Sequence, residues 1–293
     1  MHQSPAVLVG VDGSRSATAA ALWAVDEAVS RDIPVRLLQV VPRRDRPTTA
    51  HDIDRASDIV DTVTAAIEAT GKQVKVETQL AAGDVTDVLR EQARHAAMLC
   101  IGSSGREHAG MGHRWATVLA VVPPVDCPLA VIHSPTAASS ASCVVAEVDD
   151  SPAGDLALRR GIDEALLRGL PLRVVTAWPA RYPDIQDGSA GAVSRMVRTR
   201  LQRRLAAWRE QHPGLDMRPV AVPGNILNYL ARHRDEIALA VVPHDRGAGI
   251  TELVSTTPPA SEPDLSFNVM ICEPAGPPER ARHVLTSSSE QSG

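Results

Sequence analysis

The segment Gly102-Ser103-Ser104-Gly105-Arg106 combines residue types that suit phosphate binding. Glycines let the backbone approach an anion closely, successive amide N–H groups can point at it, and a following helix N-terminus adds partial positive charge. Ser103 and Ser104 add hydroxyl donors, and Arg106 adds a cation. Two other loops are expected at the same end of the molecule: Asp12-Gly13-Ser14 after the apolar run 6–11, and Val40-Val41-Pro42 after the run 35–41. In an open parallel sheet, ligands sit at the carboxyl ends of the strands, near the point where strand order reverses. A Gly-x-x-Gly loop is equally an ordinary strand–helix turn, and the residue types alone leave both readings open.

The elements that must position these loops follow from apolar patterning. Strands are predicted at 6–11, 35–41, 74–80, 98–102 and 129–133. The run 74–80 alternates, as an edge or less buried strand would. Helices are predicted at 17–31, 53–69, 85–97 and around 116–122, with Ser14 or Ser16 capping the first. Strands alternating with helices give a parallel sheet covered on both faces.

The pattern then recurs. Asp12 matches Asp149, Ser14 matches Ser151, Glu27 matches Glu164 and Pro34 matches Pro171, every pair 137 positions apart. A fixed long offset marks a duplicated domain. In the second copy, strands are expected at 144–148, 172–177, 217–222, 238–242 and 268–272, and helices at 153–168, 190–211 and 226–235. The division is a first domain at 1–135, a small-residue linker at 136–142, a second domain at 143–273 and a disordered tail at 274–293. The length of 293 residues suits two domains.

A net charge of −5 argues against general nucleic-acid binding, and four Trp, two Tyr and one Phe leave few stacking platforms for single strands. No apolar run approaches the roughly 18 residues of a membrane span, and the N-terminus carries no targeting pattern, so a cytoplasmic protein is expected. Cys100, Cys127, Cys143 and Cys272 lack metal or redox spacing and read as buried or partly buried free thiols. No metal site is expected. P-loop lysine, G-x-S-x-G and HExxH motifs are absent. His108 and His113 read as loop histidines, and the run Arg195, Arg198, Arg200, Arg203, Arg204 as a solvated helix face or an interaction surface.

Taken in order, Val9-Gly10-Val11-Asp12-Gly13-Ser14, Gly83, Ile101-Gly102-Ser103-Ser104-Gly105-Arg106 and Cys127-Pro128-Leu129-Ala130-Val131-Ile132 resemble the universal stress protein family, in the tandem form common in actinobacteria. The resemblance implies two tandem Rossmann-like α/β domains of the adenine nucleotide alpha hydrolase-like kind, each a five-stranded parallel sheet flanked by helices, packed as a pseudo-dimer. It also implies a non-catalytic module that senses or sequesters ATP in a stress response, with self-association and an unidentified protein partner. Family members that bind ATP carry G-x2-G-x9-G-[ST] after the fourth strand. Carried over, the binding set is Asp12, Gly13, Ser14, Val40, Val41, Gly83, Gly102, Ser103, Gly105, Arg106, Ala116, Thr117 and Val118.

The match is partial. Trp115 stands where the family's third glycine belongs, and one inserted residue aligns Ala116-Thr117-Val118 with Gly-Ser-Val. Trp115 either closes the phosphate pocket or points into a domain interface. In the second half an offset of 141 places Gly224 at Gly83, Pro243 at Gly102 and Arg246 at Gly105. Proline has no N–H and arginine resists positive φ, so any nucleotide is expected in the first half only, with Asp149 reduced to a turn or cap. The rival expectation is a nucleotide-free interaction protein with both sites decayed.

Overall fold

The computed structural model describes residues 4–42, 49–103, 125–133, 142–180, 189–246 and 267–274. The first half runs β1 (Val7–Val11), α1 (Arg15–Arg31), β2 (Val35–Pro42), α2 (Ala50–Glu68), β3 (Val76–Gly83), α3 (Val85–Ala93), β4 (Met98–Gly102) and β5 (Leu129–Ile132). The second runs β6 (Cys143–Glu147), α4 (Pro152–Arg168), β7 (Leu172–Trp178), α5 (Ser189–Arg204), α6 (Ala206–Gln211), β8 (Met217–Pro223), α7 (Ile226–Arg232), β9 (Ile237–Val242) and β10 (Asn268–Ile271).

Among the described residues each half is a parallel sheet of five strands, and the two fuse. The order is β3-β2-β1-β4-β5-β10-β9-β6-β7-β8, with β5 and β10 antiparallel through Val131–Val269, Ala130–Met270 and Leu129–Ile271. Two edges that would each expose unpaired backbone thus satisfy one another, and a pseudo-twofold axis passes close to Ala130 and Met270. The run 74–80 is indeed the outermost strand, shifted to Val76–Gly83, and its side chains alternate in exposure.

Helices cover both faces. Val60, Val63 and Ile67 of α2 and Leu201 of α5 share a core with α1, α4 and the strand residues Val7, Val9 and Val144. Leu89 of α3 and Ile226 and Leu230 of α7 pack on the opposite face, with Leu8 and Val145. Successive strand residues point to opposite faces, so β1 and β6 are apolar throughout because both faces are covered.

Local chemistry starts the helices. Ser14 Oγ accepts from Ala17 N at 3.1 Å, and its counterpart Ser151 Oγ from Gly154 N at 3.1 Å. Thr49 and Asp52 form a reciprocal capping box on α2. α1 ends on Asp32 at φ 52°, where its counterpart Gly169 has φ 62°. The helix expected at 190–211 is split at Leu205, giving α5 and α6, although Leu205 is fully buried, keeps right-handed helical backbone angles and still donates its N–H to Leu201 O at 3.0 Å. The last expected helix stops at Arg232 and finishes as a single 3₁₀ turn, Arg234–Glu236. The helix expected around 116–122, all of the linker but Ser142, and the tail from 275 lie outside the described residues.

Candidate functional site

β1 pairs with both β2 and β4, so strand order reverses beside it. The carboxyl ends of these three strands carry Asp12, Val40-Val41 and Gly102-Ser103. The topology therefore brings together the described part of the expected set. Gly83 ends β3 opposite Pro42, one strand further out. Gly105, Arg106, Ala116, Thr117 and Val118 lie outside the described residues, as do Ser104, Trp115, His108 and His113.

Asp12 shapes the first loop, its Oδ1 accepting from Ser14 N at 2.8 Å, while Gly13 turns the chain at φ 81°. Val40 is buried and Val41 half-buried at the end of β2, on opposite faces of the sheet. Gly102 sits against the first turn of α1. A Cβ there would lie 2.5 Å from Ser16 C and 2.6 Å from Ala17 N, so no other residue fits without displacing backbone. The missing side chain brings the end of β4 onto a helix N-terminus, where unsatisfied N–H groups and the helix dipole favour an anion. Ser103 is buried; its N–H donates to Ile132 O at 2.8 Å, and its Oγ lies 3.5 Å from His133 Nδ1.

The second half differs at the corresponding place. Pro243 follows β9 as Gly102 ends β4, and His244–Arg246 form a 3₁₀ turn. Arg246 Nε lies 3.2 Å from Glu147 Oε1. Glu147 stands 137 positions after Gly10, at the end of the central strand. Burial pushes its carboxyl up to about 7, with Arg246 pulling the other way. This ion pair ties the turn to the sheet, where the first half offers glycines. Asp149 Oδ1 accepts from Ser151 N at 2.9 Å and from Ser151 Oγ at 2.5 Å, a turn and cap role. The Glu147–Arg246 pair was readable as a Gly-to-Glu change within the repeat, but only the fold shows the two side chains meeting.

All four cysteines are buried free thiols, and burial raises each, Cys127 and Cys272 to about 12. They are therefore poor nucleophiles. Among the described residues no group of three or more His, Cys, Asp or Glu could hold a metal, and no helix is long and apolar enough to cross a membrane.

A sequence model of the Universal stress protein family matches residues 5–133. A universal stress protein of Mycobacterium tuberculosis is 40% identical over 233 residues, spanning 77% of this chain and 83% of the relative. The chain belongs to the universal stress protein family. A second M. tuberculosis member is 36% identical over 238 residues, covering 78% of this chain and 82% of its own, and a Mycobacterium bovis member 31% over 265 residues, covering 85% and 90%. Because these matches run through most of the chain, the relatives share the tandem length. The crystal structure of a universal stress protein from Archaeoglobus fulgidus superposes with a TM-score of 0.63 at 15% identity, covering 92% of this chain and 99% of that one, a likeness of fold.

Proposed function

We propose that this universal stress protein binds one adenine nucleotide, ATP, in a first domain spanning 1–135, and acts without catalysis as a sensing or sequestering module in the cytoplasm. The second domain, 143–273, keeps the fold without the site. The observation that carries the reading is the contrast between the two halves. Gly102 lies against the start of α1 with no room for a Cβ, whereas its counterpart Pro243 begins a turn fastened by Arg246 and Glu147. Asp12 and Ser14 rim the site, the Val40-Val41 backbone at the end of β2 would meet the base, and Gly83 lines the outer end. Gly105, Arg106 and 116–118 would complete the phosphate end, as the family pattern implies. The described residues fit such a ligand: glycine backbone, a helix N-terminus and the end of an apolar strand.

Calorimetric titration of the full chain with ATP tests the proposal. One nucleotide per chain is expected, abolished by Gly105→Val and unchanged by Arg246→Ala. Two per chain would overturn the restriction to the first domain. No binding would favour the second reading, a nucleotide-free interaction protein, towards which the sealed second site already points.

A further inference from the structure

The central strand of the second half ends on an acid where its counterpart carries a glycine. Glu147 stands 137 positions after Gly10, at the end of β6, which pairs with both β7 and β9. Strand order reverses there, and in an open parallel sheet ligands bind at the carboxyl end of such a point. The first half has little room at this position, since a Cβ on Gly10 would lie 3.2 Å from Leu89 Cδ2. Glu147 is 4% exposed, and among the described residues its Oε2 has no hydrogen-bond partner. A carboxylate accepts through two oxygens, and leaving one buried and unpaired is costly. Arg246 meets only the other oxygen, through Nε at 3.2 Å.

The surroundings favour a cation. Burial raises the Glu147 carboxyl to about 7, the charges of Asp149 and Asp245 push the same way, and Arg246 opposes them. Both aspartates are exposed. Pro243 has no N–H to offer an anion. Glu147 shares a face of the sheet with Val145, and so with Val175 and α7. On that face Ala177, Val222 and Leu227 are apolar and only partly buried, a shelf that suits an aliphatic stem. Glu147 is held in the central strand, whereas Arg246 is half exposed on a three-residue turn. Arg246 is therefore the partner that can move.

We propose that Glu147 is the floor of a second ligand site, which takes a small molecule bearing a guanidinium group, and that Arg246 is a resident cation this ligand displaces. A free guanidinium can set two parallel N–H donors against both carboxylate oxygens, where Arg246 satisfies one. An ammonium is a compact point charge without that planar fork. The inference does not depend on nucleotide binding in the first half.

Calorimetric titration of the full chain, free of nucleotide, tests it. The probes are agmatine, a guanidinium on an aliphatic stem, and putrescine, which carries an ammonium on the same stem. One agmatine per chain is expected, bound about tenfold or more tighter than putrescine. Glu147→Gln keeps the shape without the charge and should abolish binding. Arg246→Ala should tighten agmatine about tenfold or more, because no resident cation has to leave. Affinity should fall about tenfold from pH 8 to pH 6, as Glu147 takes up its proton and the attraction is lost. Circular dichroism confirms the fold of each variant. Binding that survives Glu147→Gln, or that treats the two probes alike, would overturn the proposal. So would binding confined to Arg246→Ala, which would make Arg246 a permanent seal, or no binding by either protein.

Discussion

Arg168 of the second half donates to Glu27 of the first at 2.8 Å, and its guanidinium lies 4.5 Å from the centre of the Trp23 ring. Glu27 and Glu164 are counterparts, as are Arg31 and Arg168, so two acids and two bases meet across the pseudo-twofold axis. Arg31 contacts Glu27 at 2.9 Å and Glu164 at 3.8 Å, and Arg168 also pairs with Glu164. Both carboxyl groups are fully buried. Buried charges must be paired, and removing one partner costs far more than the pair contributes. Arg168→Met is expected to destabilise the chain by about 3–5 kcal/mol. It should also split a single unfolding transition into two, because the halves lose a shared fastening. Calorimetry that shows one unshifted transition would refute this.

The same cluster makes stability depend on pH. Burial, then the nearby Glu27, pushes the Glu164 carboxyl up to about 8 from an ordinary 4.5. A carboxyl raised in the folded state holds its proton there after the unfolded chain has lost it. Its contribution is complete below about 4.5 and is lost as pH rises towards and through about 8. Stability should therefore decline across that window. Glu164→Gln, which keeps the neutral shape, should flatten the decline, with its largest relative gain above pH 8. Parallel melting curves for the two proteins from pH 5 to 9 would contradict the assignment.

How much of this was legible in the sequence depends on the range of the interactions. The repeat, the ten strands and the edge position of β3 follow from local patterning and from a 137-residue offset. The fusion of the two sheets does not, because Leu129-Ala130-Val131 and Val269-Met270-Ile271 look like any buried strands until their antiparallel pairing is seen. Glu27 and Glu164 were visible as a repeated pair, yet nothing nearby in sequence reveals that they face one another. Ser103 is a case where residue type suggests phosphate but not burial: only the fold shows it buried, with its Oγ 3.5 Å from His133 Nδ1. The break at Leu205 also escapes patterning, since the apolar spacing continues across it.

Asp32 closes α1 in the left-handed region at φ 52°, where its counterpart is Gly169. A side chain there is strained, though aspartate tolerates the conformation better than most residues. Asp32→Gly is expected to stabilise the chain by about 0.5–1 kcal/mol, the relief of strain exceeding the added freedom of the unfolded chain. Gly169→Ala should destabilise it. Denaturant midpoints that move the other way would show that the Asp32 side chain contributes more than its backbone costs.

Gly102 offers the sharpest test of the site, since its role rests on backbone proximity. The Cβ of an alanine would lie 2.5 Å from Ser16 C, 2.6 Å from Ala17 N and 2.7 Å from Ser16 Oγ. Two of these atoms are backbone, so the end of β4 and the first turn of α1 must separate. Such overpacking typically costs about 1–3 kcal/mol. Gly102→Ala should therefore lower the unfolding midpoint and, by moving the helix N-terminus away from the strand end, weaken ATP binding about tenfold or more. Stability loss alone cannot explain a binding loss measured well below the melting temperature, so the two readouts separate a phosphate cradle from a packing contact. Pro243→Ala is the matched control in the second half, and neither nucleotide affinity nor stoichiometry should change. If Gly102→Ala lowers the melting point but ATP binds with unchanged affinity, the close approach of β4 to α1 serves packing only, and the phosphates lie elsewhere.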